Sequence, residues 1–260
     1  MKNTIALRNE EFIVKEPYYM AYEKRYRAVF EAGATRWGHS PSDPVLYETL
    51  KTWVEENGLQ GKKVVEFACG EGACGLILSE LGCIYQGCDV SPTAIGTAKK
   101  KLSLFPNASA DVLDMVKEKA CGDFDAALDC MGLHMLVTDE DRISYLKNAR
   151  EVLRDRAPML FFREAYRNGL GGESAYKGTV RSFEQWKIIS GCDYETPQIR
   201  TAKTENGTVE VSIPLVPARA KDKEDYIAEM EAVGFTVEGF VEMADSDAIP
   251  LSASIFVRKA

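Results

Sequence analysis

Lys63-Val64-Val65-Glu66-Phe67-Ala68-Cys69-Gly70-Glu71-Gly72-Ala73-Cys74-Gly75 decides how the rest of the chain is read. A short apolar run carries a carboxylate, passes through a glycine-rich turn and opens into Leu76, Ile77, Leu78 and Leu81, the pattern of a strand, a loop and a helix. Gly70 and Gly72 permit a tight turn and a close approach of a ligand to the backbone, and the start of the helix offers unpaired N–H groups. Such a loop builds a cofactor site. Read alone it does not choose its occupant, because Gly70, Gly72 and Gly75 also satisfy G-x-G-x-x-G, the dinucleotide fingerprint.

Outward from this stretch, strands and helices alternate. Cys83 to Asp89 reads as a second strand, and Ser91-Pro92 caps a helix carrying Ile95, Ala98 and Leu102. A third strand is expected near Ser109 to Val112, a fourth at Phe124 to Asp129, and a fifth at Pro158 to Arg163, with a helix begun by Thr138 between the last two. Strands separated by helices of this length predict a parallel sheet covered on both faces. After Arg163 the alternation stops. Ser182-Phe183-Glu184-Gln185 resembles a capping box, Asn206-Gly207 joins two strand-like runs, and Gly169, Gly171 and Gly172 mark a loose loop, so residues 165–217 read as an inserted helix and hairpin. The end of the chain is a helix, Asp222 to Val233, and two strands, Thr236 to Met243 and Ser252 to Arg258, with no helix between them. The sheet is therefore expected to close on an antiparallel pair.

Before the glycine loop, a helix from Pro17 to Ala32 presents Tyr19, Tyr22 and Tyr26 on one face, and a second runs from Asp43-Pro44 to Asn57-Gly58. The tyrosine face is expected to pack against the domain, with pocket lining as the alternative. The division that follows is a helical lid at 1–58 and a main domain at 59–260 holding the inserted cap.

Composition narrows the function. The 260 residues carry a net charge of −8, which opposes binding to a phosphate backbone and argues against nucleic acid as partner. No stretch approaches the roughly 18 apolar residues of a membrane span, and residues Met1 to Glu10 lack the apolar core of a secretion signal, so a cytoplasmic protein is expected. The seven cysteines form no close C-x-x-C pairs and, with only two histidines, are read as reduced thiols rather than a metal cluster.

The acidic residues choose between the two cofactors. A pyrophosphate lying on the glycine turn would be repelled by a carboxylate at the end of the preceding strand, whereas a sulfonium bearing an amino group would be attracted by Glu66. Asp89 ends the second strand, where its oxygens can accept from both hydroxyls of a ribose, a role that fits either cofactor. Asp111 ends the third and can accept from an adenine amino group, while the Val112 N–H donates to a ring nitrogen. Glu71, between the glycines, is expected to be a solvated loop charge.

At this point the chain resembles the class I S-adenosylmethionine-dependent methyltransferases over residues Leu59 to Leu153. The resemblance implies an α/β fold: a doubly wound, mostly parallel, seven-stranded Rossmann-like sheet with an antiparallel last pair. It places the first family motif at residues 65–72, with Glu66, Ala68 and Gly70 near the amino acid part of S-adenosyl-L-methionine and Cys69 and Gly72 as further cofactor-binding residues. Gly87-Cys88-Asp89-Val90-Ser91 is similar to the ribose motif and Ala110-Asp111-Val112-Leu113 to the adenine motif. Residues 124–136, holding Asp129, Cys130 and His134, correspond to the fourth strand and the loop that flanks the transferred methyl.

The activity then expected is methylation of O, N or S on a small molecule, with S-adenosyl-L-homocysteine as product. His134 is the candidate general base, Asp129 a hydrogen-bonding group, and Cys130 a packing residue. Aromatic residues of the lid and cap, Tyr18, Tyr22, Tyr166 and Trp186, are expected to wall the substrate, with Trp37 against the cofactor and Arg163 for a substrate anion. An NAD(P)-dependent oxidoreductase and a non-catalytic S-adenosylmethionine-binding protein are the alternatives.

Overall fold

The computed structural model describes residues 16–169, 174–243 and 251–260. The N-terminal stretch examined for a secretion signal, and Gly171 and Gly172 of the expected loose loop, lie outside them. The elements, in chain order, are α1 (Ala21–Glu31), preceded by a 3-10 turn at Tyr18–Met20, α2 (Pro44–Glu56), β1 (Lys63–Phe67), α3 (Ala73–Glu80), β2 (Ile84–Asp89), α4 (Pro92–Leu102), β3 (Ala108–Val112) and β4 (Ala126–Cys130). There follow α5 (Asp139–Glu151), β5 (Pro158–Ala165), α6 (Phe183–Ser190), β6 (Gln198–Thr204), β7 (Gly207–Ile213), α7 (Lys223–Ala232), β8 (Phe235–Met243) and β9 (Ser252–Lys259).

Seven strands form one sheet in the order β3-β2-β1-β4-β5-β9-β8, and β6 and β7 form a separate hairpin. The pairs from β3 across to β5 are parallel, while β9 runs antiparallel to both β5 and β8. Strand direction reverses there because the stretch 244–251 that joins β8 to β9 is too short for the crossover that a parallel pair needs. Alternation along each strand serves two cores. Val65, Phe67, Ala127, Met159 and Phe161 face α5 and α7, where Tyr145, Leu146, Tyr226 and Met230 are buried. Val64, Ala126, Leu128, Leu160 and Phe162 face Leu50 and Trp53 of α2, Ile77 of α3 and Ile95 of α4. A sheet buried on both faces explains why its strands read as continuous apolar runs.

Local chemistry starts and stops the helices where the sequence predicts. Ser91 accepts from the Ala94 N–H and Thr138 from the Asp141 N–H, satisfying donors that the first turn leaves unpaired. Ser182 likewise accepts from the Gln185 N–H, but the Gln185 side chain returns to the N–H of Arg181, one residue before the expected box position. Gly234 stops α7 at a φ of 90°.

The segments before β1 and after β5 cover one edge of the sheet's C-terminal end. Val29 of α1 packs with Ala202, Val211 and Ile213 of the hairpin in a small core of their own. Glu23 is buried and accepts from the Ser91 and Thr93 hydroxyls and the Thr93 N–H, which fixes α1 to the start of α4. Among the described residues, no helix is long and apolar enough to cross a membrane.

Candidate active site

A cavity of about 640 Å³ opens where the C-terminal ends of the parallel strands meet α1 and the hairpin, the position and size of a small-molecule site in an open α/β sheet. Backbone strain collects at the same place. Of the four non-glycine residues with positive φ among the described residues, Ala68 and Met131 directly follow β1 and β4 and Arg163 lies near the end of β5, at 53°, 64° and 58°. At Arg163 the β5–β9 register shifts, a bulge that falls beside Glu164.

The glycine loop forms the floor. Gly70 adopts a φ of 51°, and a Cβ built on it would lie 2.7 Å from the Tyr26 hydroxyl. Its N–H donates to Asp89 at 2.8 Å, and the Ser91 N–H donates to the other oxygen of the same carboxylate at 2.8 Å. Asp89 thus locks the loop to the end of β2, and burial raises its pKa to about 6. Glu66 lies beneath the loop, 1% exposed, and accepts from the Tyr85 hydroxyl. Burial, then the Cys130 sulfur, raises its pKa to about 8, and among the described residues no cation pairs with it. A buried carboxylate at the cavity wall without a counter-ion suits a cationic ligand. These residues therefore fit the amino acid end of S-adenosylmethionine, and the buried Asp89 oxygens remain acceptors for ribose hydroxyls.

The opposite wall is the loop after β4. His134 is buried, and both its backbone N–H and its Nδ1 meet one Glu164 oxygen, at 2.7 and 2.9 Å. A carboxylate at Nδ1 selects the tautomer whose Nε2 carries a free lone pair. The second oxygen of Glu164 is buried without a partner. Arg142 donates to the Leu133 and Leu136 carbonyls, and the backbone N–H of Arg219 to the His134 carbonyl, so the loop is held on three sides.

Most of the predicted cofactor residues meet in this cavity: Trp37, Glu66, Ala68, Cys69, Gly70, Asp89 and Val90 line it, as do His134 and Tyr22. Others stand elsewhere. Gly72 turns to α4, where an added Cβ would meet Ala98 at 3.3 Å. Asp111 is exposed and paired with Lys99, and Val112 is half exposed; the cavity is lined instead by Asp114, Met115 and Val116, just beyond β3. Asp129 is buried behind the wall, accepting from the Gly132 N–H and the Tyr145 hydroxyl.

Among the expected substrate residues, Tyr18 accepts from the Val137 N–H and stacks on Phe183, and Trp186 donates to the Tyr194 hydroxyl. Tyr166 bonds to Glu242, and Arg163 is paired with Asp43 at 2.7 Å. None of these four lines the cavity.

Three local expectations are corrected. Glu71 is 3% exposed rather than solvated. It accepts from the N–H groups of Trp37 and Gly38 at 2.7 and 2.8 Å and pairs with Lys101 at 2.9 Å, tying the N-terminal segment to the glycine loop. The tyrosine face of α1 lines the cavity through Tyr19, Tyr22 and Tyr26 as well as packing. Cys130 also lines it, and hydrogen bonding from Cys74 together with His39 holds its thiol below the usual range. His39, beside Met131, is therefore a second histidine at the site. Sequence reasoning missed Glu164, whose signal is a carboxylate at a strand's C-terminal end, and Arg25, Arg167 and Arg200, which share no local spacing.

Because Glu71 replaces water for two N–H groups and a lysine, Glu71→Ala should cost about 2–3 kcal/mol. The check is the thermal midpoint together with faster limited proteolysis between residues 34 and 41.

A family model described as "Methyltransferase domain" matches residues 65–159. The chain is 27% identical over 121 residues to the putative methyltransferase YqeM of Bacillus subtilis; the match takes in 44% of this chain and 47% of that protein, so it spans about half the relative's length. Among solved structures, the CcbJ methyltransferase of Streptomyces caelestis superposes with a TM-score of 0.62 at 13% identity, covering 92% of this chain and 99% of that one. An S-adenosylmethionine-bound amino pentose methyltransferase of Micromonospora echinaspora gives 0.60 at 14%, with 95% and 99% covered. Magnesium protoporphyrin IX methyltransferase of Synechocystis with bound S-adenosylhomocysteine gives 0.59 at 15%, with 94% and 96% covered. Residues 65–159 thus match a methyltransferase domain, and the chain shares its sheet architecture with solved S-adenosylmethionine-dependent methyltransferases.

Proposed function

We propose that the protein transfers the methyl group of S-adenosylmethionine to an O, N or S nucleophile of a small molecule. The observation that carries this reading is the buried Glu66 at the glycine turn, which has no cation partner among the described residues and lines one cavity with His134, itself paired with Glu164. When bound, the cofactor supplies an activated methyl on a sulfonium whose departure leaves a neutral thioether. Glu66 takes the amino group, Asp89 the ribose hydroxyls, and the backbone around Met115 and Val116 lies where a base would sit. His134 Nε2 receives the proton of the acceptor, and Glu164 stabilises the imidazolium that results. Tyr22, Tyr26 and Trp37 exclude water from the line of attack.

The lid expected at 1–58 and the cap expected at 165–217 suit this reading over their described residues, because α1, the Trp37 segment and the hairpin wall the cavity over the strand ends. The acidic chain fits a small-molecule acceptor better than a nucleic acid, and nothing in the reaction requires a membrane or a metal. A cytoplasmic setting suits the free thiols at the site. Incubation with S-adenosylmethionine and a broad metabolite panel, read by mass spectrometry for methylated product and S-adenosylhomocysteine, tests the reading. Product formation is expected; a cofactor-binding protein that forms none with any member would contradict it.

Glu66 makes the cofactor assignment testable by proton counting. With a pKa of about 8 in the free protein the carboxyl is mostly neutral at pH 7, and an arriving ammonium favours its charged form. Binding of S-adenosylhomocysteine should therefore release up to one proton, seen by calorimetry in buffers of different ionisation enthalpy, and Glu66→Gln should abolish the release. The same shift has a sign for stability. Because the unfolded carboxyl ionises at 4.5 and the folded one at about 8, this group makes stability fall as pH rises across that window and leaves it unaffected below it.

A further inference from the structure

The predicted anion-binding residue, Arg163, is occupied by Asp43, yet three other arginines reach the cavity wall in a chain of net charge −8: Arg25 of α1, Arg167 after β5 and Arg200 of β6. We propose that Arg25 and Arg200 bind a carboxylate on the methyl acceptor, which makes the substrate a small organic acid that presents its nucleophile to His134. This inference rests on the methyltransferase reading above and names its substrate class.

Arg25 carries the argument. It donates to the Pro214 carbonyl at 3.1 Å, and its Nε is buried with no acceptor at all. A buried guanidinium N–H without a partner is costly and rare in native proteins. Among the described residues neither Arg25 nor Arg200 forms an ion pair; the Arg200 guanidinium donates only to the Gln198 side chain among the hydrogen bonds of the fold. Burial disfavours the charge on Arg25, and the neighbouring Arg200 acts on it in the same direction. Two like charges brought together at a cavity wall, with a donor left empty, are relieved by one planar anion whose oxygens meet the guanidinium fork.

The carboxylates on the same wall do not supply that anion. Glu71 is taken by Lys101 and the Trp37 and Gly38 N–H groups, Asp89 by Gly70 and Ser91, Asp114 by Tyr19 and Lys117, and Glu66 by Tyr85. Position supplies the second half of the inference. The Arg25 guanidinium is held over the rings of Tyr22 and Trp37, at 5.9 and 5.8 Å. Tyr22 in turn feels the charge of both Arg25 and Glu164. Arg25, Arg200, Tyr22 and His134 line one cavity, so a single small acceptor reaches both ends, its carboxylate at the arginines and its proton-bearing nucleophile at His134.

The test uses the full chain saturated with S-adenosylhomocysteine, into which hydroxy and amino carboxylic acids are titrated by calorimetry, each paired with its primary amide. At least one acid should bind about tenfold or more tighter than its amide, as charge-assisted hydrogen bonds imply. The preference should shrink in the R25M/R200M variant and with added salt. If every acid binds no tighter than its amide, the proposal is overturned. If the variant weakens S-adenosylhomocysteine binding instead and leaves acid and amide alike, the arginines hold the cofactor's own carboxylate and the proposal is again overturned. Failure of the wild-type chain to bind S-adenosylhomocysteine is a different result: it removes the methyltransferase reading itself.

Discussion

His134→Ala is expected to lower kcat by about two to four orders of magnitude, the range for loss of a positioned general base, while leaving S-adenosylhomocysteine affinity nearly unchanged. The imidazole is buried, lies on the cavity wall and meets Glu164 at 2.9 Å, so its Nε2 is oriented before the acceptor arrives. Glu164→Gln separates orientation from charge. An amide retains the hydrogen bonds to His134 yet does not stabilise the imidazolium, so kcat should fall by about tenfold or more while KM stays near its wild-type value. Steady-state and single-turnover rates on the acceptor found in the metabolite panel check both variants. A rate unchanged in His134→Ala would show that the acceptor reacts without this base, which is the behaviour of a nucleophile already deprotonated in solution.

Arg142→Met is expected to destabilise the fold by about 3–5 kcal/mol, the range for breaking a buried ion pair by removing one partner. Arg142 is 1% exposed and donates to the Leu133 and Leu136 carbonyls at 2.8 and 3.0 Å, while its Nε and Nη2 meet both oxygens of Glu229. Methionine matches much of the volume but leaves two buried carbonyls unpaired and Glu229 with Lys221 as its remaining cation. Urea denaturation reads the loss. Because the same guanidinium holds the loop that presents His134, turnover should fall below the His134-containing wild type even at temperatures where the variant remains folded. A loss under 1 kcal/mol would mean that water reaches these groups and that Arg142 is not an anchor of the site.

What the sequence made legible follows from which signals are local. β1, the glycine turn and α3 are consecutive, and each is announced by its own residues, so the floor of the site could be read to within a residue. The same holds for Ser91, Thr138 and Ser182, whose hydroxyls cap the helices that follow. The antiparallel closure was legible because the stretch between β8 and β9 is too short for a parallel crossover.

Distances beyond the strand ends were not legible. The sequence placed the adenine acceptor at Asp111, but β3 ends at Val112 and Asp114, Met115 and Val116 are the residues that line the cavity. Burial of a loop charge is also invisible locally: Glu71 is buried because Trp37 and Gly38, far away in sequence, donate to it. Arg163 shows a third limit. A strand-end arginine pointed toward substrate in the sequence, yet the bulge at β5 leaves it paired with Asp43 and Glu164 on His134. The tyrosine face of α1 was found by its helical spacing, which names a face but not its neighbour.

The central claim is that the glycine loop, Glu66 and Asp89 form a site for a sulfonium nucleoside rather than a dinucleotide. Calorimetric titration of the wild-type chain with S-adenosylmethionine, S-adenosylhomocysteine, NAD and NADP tests it most directly, with Asp89→Ala as the comparison. One equivalent of S-adenosylmethionine or its product should bind, with affinity falling by about tenfold or more in Asp89→Ala as the lock on Gly70 and the acceptors for ribose are lost, and neither nicotinamide dinucleotide should bind. Binding of NAD or NADP in preference to S-adenosylmethionine, or an affinity unchanged in Asp89→Ala, would contradict it.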